Sequence, residues 1–134
     1  MKKVWIIDDD QEMVSAIRLM VKMLECEARH FYSARLAAQA LLTGERPELI
    51  ILDVNMPEVT GLDFLEFLRR RAEFKHLPVV MLSSEAADIM VDKAITMGAD
   101  AYVTKPVSLE ELDKAMKKAL GAHGINYKKE EKNA

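Results

Sequence analysis

Short apolar runs alternate with longer stretches of helical periodicity along most of the chain. Val4–Ile7 is a continuous run of β-branched and aromatic residues, which is typical of a strand buried on both faces of a sheet. In the segment after it, apolar residues recur at helical spacing, and they are Met13, Ile17, Met20, Val21 and Leu24. The chain therefore opens with a predicted buried strand and an amphipathic helix.

Four further apolar runs predict strands. The run at residues 28–32 is the weakest, and the others are the segments ELIILDV, PVVMLSS and DAYVTK. Pro78 is acceptable in PVVMLSS because a proline at the first position of a strand removes no hydrogen bond from the middle of the ladder. With the first strand they make five.

Helical periodicity follows each of these runs. Ser33 is a typical N-cap, and Ser108 with Glu111 has the sequence of a capping box. Gly44 and Gly98 are suited to end helices, since glycine readily adopts the left-handed conformation found there. The predicted later helices run from Ser33 to about Leu42, onward from Gly61, from about Glu85 to Met97, and from Ser108 to about Leu120.

Five strand–helix units joined by short connections predict an α/β fold, with a parallel sheet that carries helices on both faces. The crossovers between strands should be right-handed. We expect one domain at residues 1–121, followed by a polar, disordered tail or linker at residues 122–134. Such a tail is either a plain terminus or the link to a domain that this chain lacks.

Composition and charge narrow the function. The 134 residues are 50% hydrophobic, enough for one domain with a substantial core. A formal net charge of −3 speaks against a nucleic-acid-binding face, which needs a basic patch. No apolar stretch approaches the roughly 20 residues of a membrane span. Cys26 is the only cysteine, which excludes an internal disulfide and fits a reducing, cytoplasmic location.

Polar side chains collect at the carboxyl ends of the predicted strands, where ligands bind in open α/β sheets. Asp8, Asp9 and Asp53 carry three negative charges and Lys105 carries one positive charge, so one divalent cation would neutralise the site. Oxygen ligands favour Mg²⁺. Such a site suits phosphoryl transfer, with a carboxylate as the nucleophile. The residues are Asp8, Asp9 and Asp10 after the first strand, Asp53 after the third, Ser83 and Ser84 after the fourth, and Thr104 and Lys105 after the fifth.

Four motifs stand in a fixed order at these strand ends: DD, DVNMPEVTG, a serine and YVTKP. Together they resemble the receiver domain of bacterial two-component response regulators, over about residues 2–120. The resemblance implies a five-stranded, flavodoxin-like, doubly wound sheet with strand order 2-1-3-4-5. It also implies phosphorelay signal transduction by a domain that catalyses its own phosphorylation and slow dephosphorylation and is not a dedicated enzyme.

The resemblance further implies a phosphoacceptor and a metal site. Asp53 would take the phosphoryl group from a phosphohistidine of a sensor histidine kinase or phosphotransfer protein and become an aspartyl phosphate. Asp9, Asp53 and the backbone carbonyl of Asn55 would bind Mg²⁺ directly, and Asp8 would hold the ion through water. Asn55 and Glu85 occupy positions that vary in the family and tune the lifetime of the phosphoryl group.

A conformational switch is also implied by the resemblance. Lys105 would pair with Asp53 at rest and with a phosphoryl oxygen afterwards, and its peptide bond to Pro106 would be cis. Ser83 would hydrogen-bond the phosphoryl group, and Tyr102 would rotate inward as Ser83 moves. This shift would control an unknown output protein or domain, with a phosphorylation-dependent dimer as one form that the sequence leaves open. Direct nucleic-acid binding and membrane association are not expected.

Plainer interpretations apply to each of these residues taken singly. The aspartates after the first strand could simply begin a helix, and Asp10 in particular is a good N-cap. Asp53 could start an Asx turn, and Ser83 could cap the next helix. Lys105 could be solvated, and Tyr102 could be a half-buried strand residue. The joint occurrence of these residues at four strand ends favours the functional interpretation.

Two rival functions use similar motifs. A phosphohydrolase of the haloacid-dehalogenase type would share the aspartyl nucleophile, but it has a second aspartate two residues later, where this chain has Asn55. The chain also has no room for a substrate cap. A degenerate receiver would bind partners without phosphorylation, but it would usually lack one of the acids or the lysine, and this chain retains them all.

Overall fold

A computed structural model describes residues 2–85 and 87–125 of the chain. Within these residues five strands alternate with five helices. The strands are β1 (Lys3–Ile7), β2 (Glu27–Phe31), β3 (Leu49–Asp53), β4 (Val79–Ser83) and β5 (Ala101–Thr104), and the helices are α1 (Gln11–Met23), α2 (Ala34–Leu42), α3 (Gly61–Arg70), α4 (Asp88–Thr96) and α5 (Leu109–Ala122).

The strands form one parallel sheet in the order β2-β1-β3-β4-β5, which confirms the predicted fold. From β1 the chain moves outward to β2, and it then returns to the other side of β1 to form β3. The order of the strands therefore reverses between β1 and β3. In open α/β sheets this reversal leaves a crevice at the carboxyl ends of the two strands, where ligands bind.

The sheet separates two layers of hydrophobic core. Alternate residues of β1 enter opposite layers, because Trp5 and Ile7 pack with α2, α3 and α4 whereas Val4 and Ile6 pack with α1 and α5. All residues of β3 and β4 are buried, which explains their continuous apolar sequences. Each fully buried aliphatic side chain contributes roughly 1.5–3 kcal/mol, so these strands hold their carboxyl ends firmly in place.

Side chains cap the amino ends of α1, α2, α3 and α5. The predicted caps at Ser33 and at Ser108 with Glu111 are present. A second capping box, formed by Thr60 and Asp63 at the start of α3, is an addition that the sequence pattern did not indicate. It fixes the helix that follows the loop after β3.

Helix α4 begins later than predicted. Its first residue is Asp88 and not Glu85, because the Glu85 N–H donates to the Ser83 hydroxyl oxygen at 3.0 Å and the Glu85 carbonyl accepts from the Tyr102 hydroxyl at 2.8 Å. These bonds hold Glu85 in a turn. The N-cap residue Ala87 provides no side-chain hydrogen bond. α4 therefore lacks the capping hydrogen bond that a side chain makes at the start of each of the other helices.

The boundaries of β2 and α5 also differ slightly from the prediction. β2 covers Glu27–Phe31, one residue earlier than predicted, because its pairing with β1 stops at Ile7 and Phe31. α5 extends to Ala122, and Ile125 packs against the core layer of α1 and α5. Residues 126–134 lie outside the described residues, so the domain division at residue 121 and the disordered tail stay predictions.

The helices are short. The longest of them, α5, has 14 residues. In the part of the chain that the structure describes, no helix has both the length and the apolar character needed to cross a membrane.

Candidate functional site

An acidic cluster lies at the carboxyl ends of β1 and β3. Asp8 and Asp9 directly follow β1, and Asp53 is the last residue of β3. Asp8 and Asp53 are buried and Asp9 is exposed, yet one carboxylate oxygen from each lies within 4.8 Å of the other two. The structure therefore brings together three of the four acids that the sequence pattern assigns to this edge.

One lysine reaches the acidic cluster from the end of β5. The Lys105 ammonium group donates to Oδ1 of Asp53 at 3.0 Å and to Oδ2 of Asp8 at 3.4 Å. Its peptide bond to Pro106 is cis, as the resemblance implies. Burial lowers the pKa of Lys105, but the contacts with the two carboxylates outweigh burial and leave this pKa raised. Lys105 therefore stays positively charged beside the acids.

Burial dominates the electrostatics of the two inner carboxylates. It raises the pKa of Asp53 to about 6, against the opposing effect of the hydrogen bond from Lys105. Burial also raises the pKa of Asp8, although Asp8 accepts hydrogen bonds from the Asp10 N–H at 2.9 Å and from Lys105. The single positive charge of Lys105 does not balance the negative charges of three carboxylates, so binding of an added cation to the cluster is favourable.

We expect the acidic cluster to make the metal-free protein less stable at neutral pH than at mildly acidic pH. The pKa of Asp53 rises from 3.8 in the unfolded chain to about 6 in the fold. Between these values the folded chain holds a proton that the unfolded chain has released, so stability falls as the pH rises through this window. The shift corresponds to roughly 3 kcal/mol. Urea unfolding with a chelator at about pH 4 and about pH 7 measures the loss.

The Asp53→Asn variant is the control for this prediction, because the amide has no proton to release. Carboxyl groups far from Asp53 titrate equally in both proteins, so the difference between their unfolding free energies reports on Asp53 and on Asp8, which interacts with it. Between about pH 4 and about pH 7, the unfolding free energy of the wild type should fall by roughly 2–2.5 kcal/mol more than that of the variant. Parallel pH profiles for the two proteins would show that Asp53 has an ordinary pKa in the fold.

The third aspartate of the triplet has another role. Oδ1 of Asp10 accepts from the Glu12 N–H at 3.0 Å and from the Met13 N–H at 3.4 Å. Asp10 is therefore the N-cap of α1, which confirms the prediction for this residue. It is exposed and does not belong to the acidic cluster.

Ser83 and Tyr102 are connected through Glu85, a residue that the sequence indicated only as a variable position. The hydroxyl oxygen of the buried Ser83 accepts from the Glu85 N–H, and the Tyr102 hydroxyl donates to the Glu85 carbonyl. The Glu85 carboxylate in turn accepts from the side-chain amide of Asn55, which is exposed at the rim, at 3.4 Å. Glu85 thus links the ends of β3, β4 and β5, a role that its predicted place at the start of a helix did not indicate.

The loop after Asp53 closes on a glycine. The Gly61 N–H donates to the Val54 carbonyl at 2.9 Å, and a Cβ atom on Gly61 would lie 2.0 Å from the Asp53 carbonyl oxygen. The sequence pattern indicated only a helix onward from this glycine. The close approach means that any side chain at this position would displace the backbone of Asp53.

A cleft of about 440 Å³ opens at the opposite edge of the sheet, lined in part by Lys3, Trp5, Arg29 and Arg46. Arg29 forms an ion pair with Glu45 in the wall of this cleft. None of the predicted site residues lines the cleft. The cleft and the acidic cluster are therefore two separate sites.

The acidic cluster fits a hard divalent cation. Its three members offer carboxylate oxygens close enough together to bind one ion, and neither histidine nor cysteine belongs to the group. Proteins use such all-oxygen sets for hard ions such as Mg²⁺ and Ca²⁺ rather than for thiolate-loving metals. A metal site is thus compatible with the donor chemistry at the ends of β1 and β3.

Comparison with known proteins relates the chain to one group. A family model described as the response regulator receiver domain matches residues 4–117. The polar-differentiation response regulator DivK of Brucella anthropi is 28% identical over 120 residues, which cover 90% of this chain and 97% of DivK. The transcriptional regulatory protein TctD of Salmonella typhimurium is 41% identical over 85 residues, 63% of this chain. That match spans only 37% of the length of TctD.

Solved structures show the same relationship. The chemotaxis protein CheY4 of Vibrio cholerae superposes with a TM-score of 0.80 at 29% identity, over 90% of this chain and 99% of CheY4. The signal receiver domain of a signal transduction histidine kinase from Syntrophus aciditrophicus superposes with a TM-score of 0.82 at 25% identity, over 94% of this chain and 95% of that domain. Similarity in fold therefore extends over nearly the whole described chain.

Proposed function

The chain belongs to the family of response regulator receiver domains, and from this premise we propose that Asp53 is its phosphoacceptor. Receiver domains are signalling phosphoacceptors of two-component systems and not dedicated enzymes. The observation that carries the assignment of Asp53 is its 3.0 Å hydrogen bond from the Lys105 ammonium group at the end of the central strand β3. This contact places a positive charge where a phosphoryl group on Asp53 would need one.

Two features favour Asp53 over the neighbouring Asp8 as the nucleophile. The Asp8 side chain is less accessible, at 1% exposed against 5% for Asp53. Asp8 also accepts a backbone hydrogen bond from Asp10, which occupies one of its oxygens.

In the proposed reaction, an oxygen of Asp53 attacks the phosphorus atom of a phosphohistidine on a donor protein. A bond forms between this oxygen and phosphorus while the P–N bond breaks, and the electron pair of that bond stays on the imidazole nitrogen. The Lys105 ammonium group would then move from Oδ1 of Asp53 to an oxygen of the transferred phosphoryl group. Its charge would stabilise negative charge at the new position.

Mg²⁺ is the ion that we propose for the acidic cluster. Asp9, Asp53 and the backbone carbonyl of Asn55 would hold it directly, and Asp8 would hold it through water. Support comes from the all-oxygen donor set and from the preference of Mg²⁺ for sites that combine carboxylates with phosphate. When bound, this ion supplies positive charge between the carboxylates and the phosphoryl oxygens.

We expect Asp9→Asn to weaken Mg²⁺ binding and Asp10→Asn to leave it nearly intact. Asp9 contributes an oxygen to the acidic cluster, whereas Asp10 caps α1 and asparagine caps helices equally well. Loss of a direct ligand should cost at least about tenfold in affinity, because even outer-shell partners contribute that much. Calorimetric titration with Mg²⁺ measures the affinity of both variants. Equal losses of Mg²⁺ affinity in the two variants would mean that Asp10 contributes to the metal site as much as Asp9 does.

The proposed switch consists of Ser83, Glu85 and Tyr102. A phosphoryl oxygen on Asp53 is a strong acceptor for the Ser83 hydroxyl, so phosphorylation should draw Ser83 toward Asp53. That movement would weaken the bond between Ser83 and the Glu85 N–H and allow Tyr102 to rotate inward. The phosphoryl group thereby favours one of two states by a contact that only that state makes.

The proposed partners follow from the family. Receiver domains interact in general with histidine kinases and with output domains. For this chain we propose a sensor histidine kinase or a phosphotransfer protein as donor, and an output protein or domain as target. A phosphorylation-dependent dimer is a further proposal, and binding to nucleic acid or membrane is not part of the proposed function. The cytoplasmic location and the receiver boundary at residue 121 stay predictions.

Phosphorylation by a small donor tests the assignment directly. The wild-type chain is incubated with acetyl phosphate and Mg²⁺, and the intact mass and the modified peptide are determined. We expect the mass of one phosphoryl group on the peptide that contains Asp53, and no such gain when a chelator replaces Mg²⁺. A modified peptide without Asp53, or full modification in the chelator, would contradict the proposal.

A further inference from the structure

The cleft of about 440 Å³ at the amino edge of the sheet has the size of a small-molecule site. The amino halves of β1 and β2 line one side of it, and the loop at residues 44–46 lines the other. This loop follows α2, which ends at Leu42, so a loop and not a helix borders this part of the sheet. Sites for small molecules typically have volumes of roughly 300–1,000 Å³.

Arg29 presents a planar cation to this amino-edge cleft. It is the neighbour of Trp5 in the pairing of β2 with β1. Its guanidinium carbon lies 5.7 Å from the centroid of the Trp5 ring and 4.7 Å from that of the Phe31 ring, and guanidinium groups stack on aromatic faces at such distances. The Arg29 side chain is nevertheless 51% exposed. While one face of the guanidinium group covers the two rings, the other is accessible to a further planar group.

Arg46 places a second guanidinium group at the cleft and is held there firmly. Its Nη1 donates to the carbonyls of Leu41 at 2.7 Å and of Glu45 at 2.8 Å, and its guanidinium carbon lies 4.7 Å from the centroid of the Phe74 ring. Both acceptors are neutral carbonyl groups, so they leave the positive charge of Arg46 unneutralised. Both bonds also use Nη1, and neither requires the donors on Nε and Nη2.

The residues that line the amino-edge cleft have a positive charge balance. Three cations, Lys3, Arg29 and Arg46, stand against two carboxylates, Glu27 and Glu45. Glu45 forms an ion pair with Arg29, and Glu27 is the neighbour of Lys3 in the pairing of the strands. Arg46 therefore supplies the charge that remains, and an anion in the cleft would neutralise it.

A plainer role for Arg29 and Glu45 is to shield Trp5, which is 4% exposed. Shielding accounts for the ion pair and for the stacking on the ring, but it requires neither the open volume nor the charge of Arg46. Gly44 adds to the open volume, because no atom lies within 4 Å of the position that a Cβ atom would take there. An open cleft with a stacking surface and an excess positive charge has the features of a binding site.

We propose that the amino-edge cleft binds a planar aromatic anion. The ring stacks on the outer face of the Arg29 guanidinium group, and the anionic group pairs with Arg46 through charge-assisted hydrogen bonds. Aromatic carboxylates and nucleoside monophosphates share this chemistry. The inference does not rest on the proposed function, because none of the residues that line the cleft belongs to the acidic cluster.

Titration of the wild-type protein with two probes, benzoate and adenosine monophosphate, tests the proposal. The indole N–H signal of Trp5, the only tryptophan, is followed by NMR, and a chelator removes the divalent ions that could bind phosphate at the acidic cluster. We expect a saturable shift with a Kd of about 1 mM or lower for at least one probe, as is typical of ligands of this size. The probe that binds identifies the anion as a carboxylate, a phosphate or either. No saturable shift with either probe would overturn the proposal.

Cyclohexanecarboxylate tests the stacking without any variant, because it has the charge of benzoate but no planar ring. Its affinity should be roughly two- to fivefold lower than that of benzoate, which is the contribution of an exposed cation–π contact. Arg29→Lys keeps the charge but not the planar face, so it should remove this difference. Equal affinities of the two acids in the wild type would show that nothing stacks on Arg29.

Arg46→Gln tests the anion contact and should lower the affinity for the bound probe at least roughly tenfold, because a hydrogen bond to a charged group is lost. Arg46→Lys keeps the charge and should retain most of the affinity, which separates loss of the contact from damage to the fold. Arg35→Gln is the matched control, since Arg35 is 69% exposed, pairs with Glu58 and does not line the cleft. Wild-type affinity in Arg46→Gln, or an equal loss in Arg35→Gln, would contradict the assignment of Arg46.

Discussion

Asp53→Asn should abolish phosphorylation of the chain by acetyl phosphate. The amide that replaces the carboxylate has no anionic oxygen to attack phosphorus, and removal of a nucleophile typically reduces a rate by roughly 10⁴-fold or more. The fold should persist, because asparagine has nearly the same volume as aspartate and its side-chain oxygen can still accept the hydrogen bond that Lys105 now donates to Oδ1. The intact mass after incubation with acetyl phosphate and Mg²⁺ measures the effect.

Asp10→Asn is the matched control for this result, because it makes the same chemical change two residues beyond the buried Asp8. Asp10 caps α1 through its side-chain oxygen, and asparagine retains that oxygen. We expect the control to be labelled at the wild-type level. Undiminished label in Asp53→Asn, with the control also labelled, would transfer the acceptor role to another carboxylate of the acidic cluster.

The strand ends are the part of the site that sequence alone could locate. β1 and β3 are buried on both faces, so their continuous apolar runs mark where each strand ends, with Asp8 directly after β1 and Asp53 as the last residue of β3. Parallel strands then bring these ends to one edge of the sheet. Asp10 could be separated from its neighbours for a similar reason, because the helical periodicity begins directly after it. The strand order came from the family resemblance and not from the pattern.

The contacts of Glu85 and Arg69 could not be predicted, since they join segments that are distant in the sequence. Arg69 meets Gly98 and Asp100 some 30 residues further along the chain. In the run LRRR it is indistinguishable from Arg70, whose side chain is mostly exposed. The start of α4 was misplaced for the same kind of reason, because bonds from Ser83 and Tyr102 hold Glu85 in a turn.

Gly61→Ala should destabilise the protein strongly and damage the acceptor site together with the fold. The added methyl group would lie 2.0 Å from the Asp53 carbonyl oxygen and 2.8 Å from Cα of Val54. Both are backbone atoms at the end of the buried central strand, so neither can move aside as a flexible side chain would. Overpacking in a well-packed region costs roughly 1–3 kcal/mol, occasionally more, and we expect this substitution at the upper end of that range. Urea unfolding measures the loss.

Gly121→Ala separates this steric cost from the general effect of replacing glycine in a helix. Gly121 lies within α5, and a Cβ atom there would have nothing within 4 Å, so alanine should stabilise the protein by roughly 0.5–1 kcal/mol. Gly61 is the first residue of α3, and its gain in helix propensity would be of the same sign and at most the same size. A loss of stability in Gly61→Ala against a gain in Gly121→Ala therefore measures the contact with Asp53. If Gly61→Ala instead unfolds at the wild-type urea concentration, the loop after β3 must have room to shift, and the backbone of Asp53 is not fixed by the start of α3.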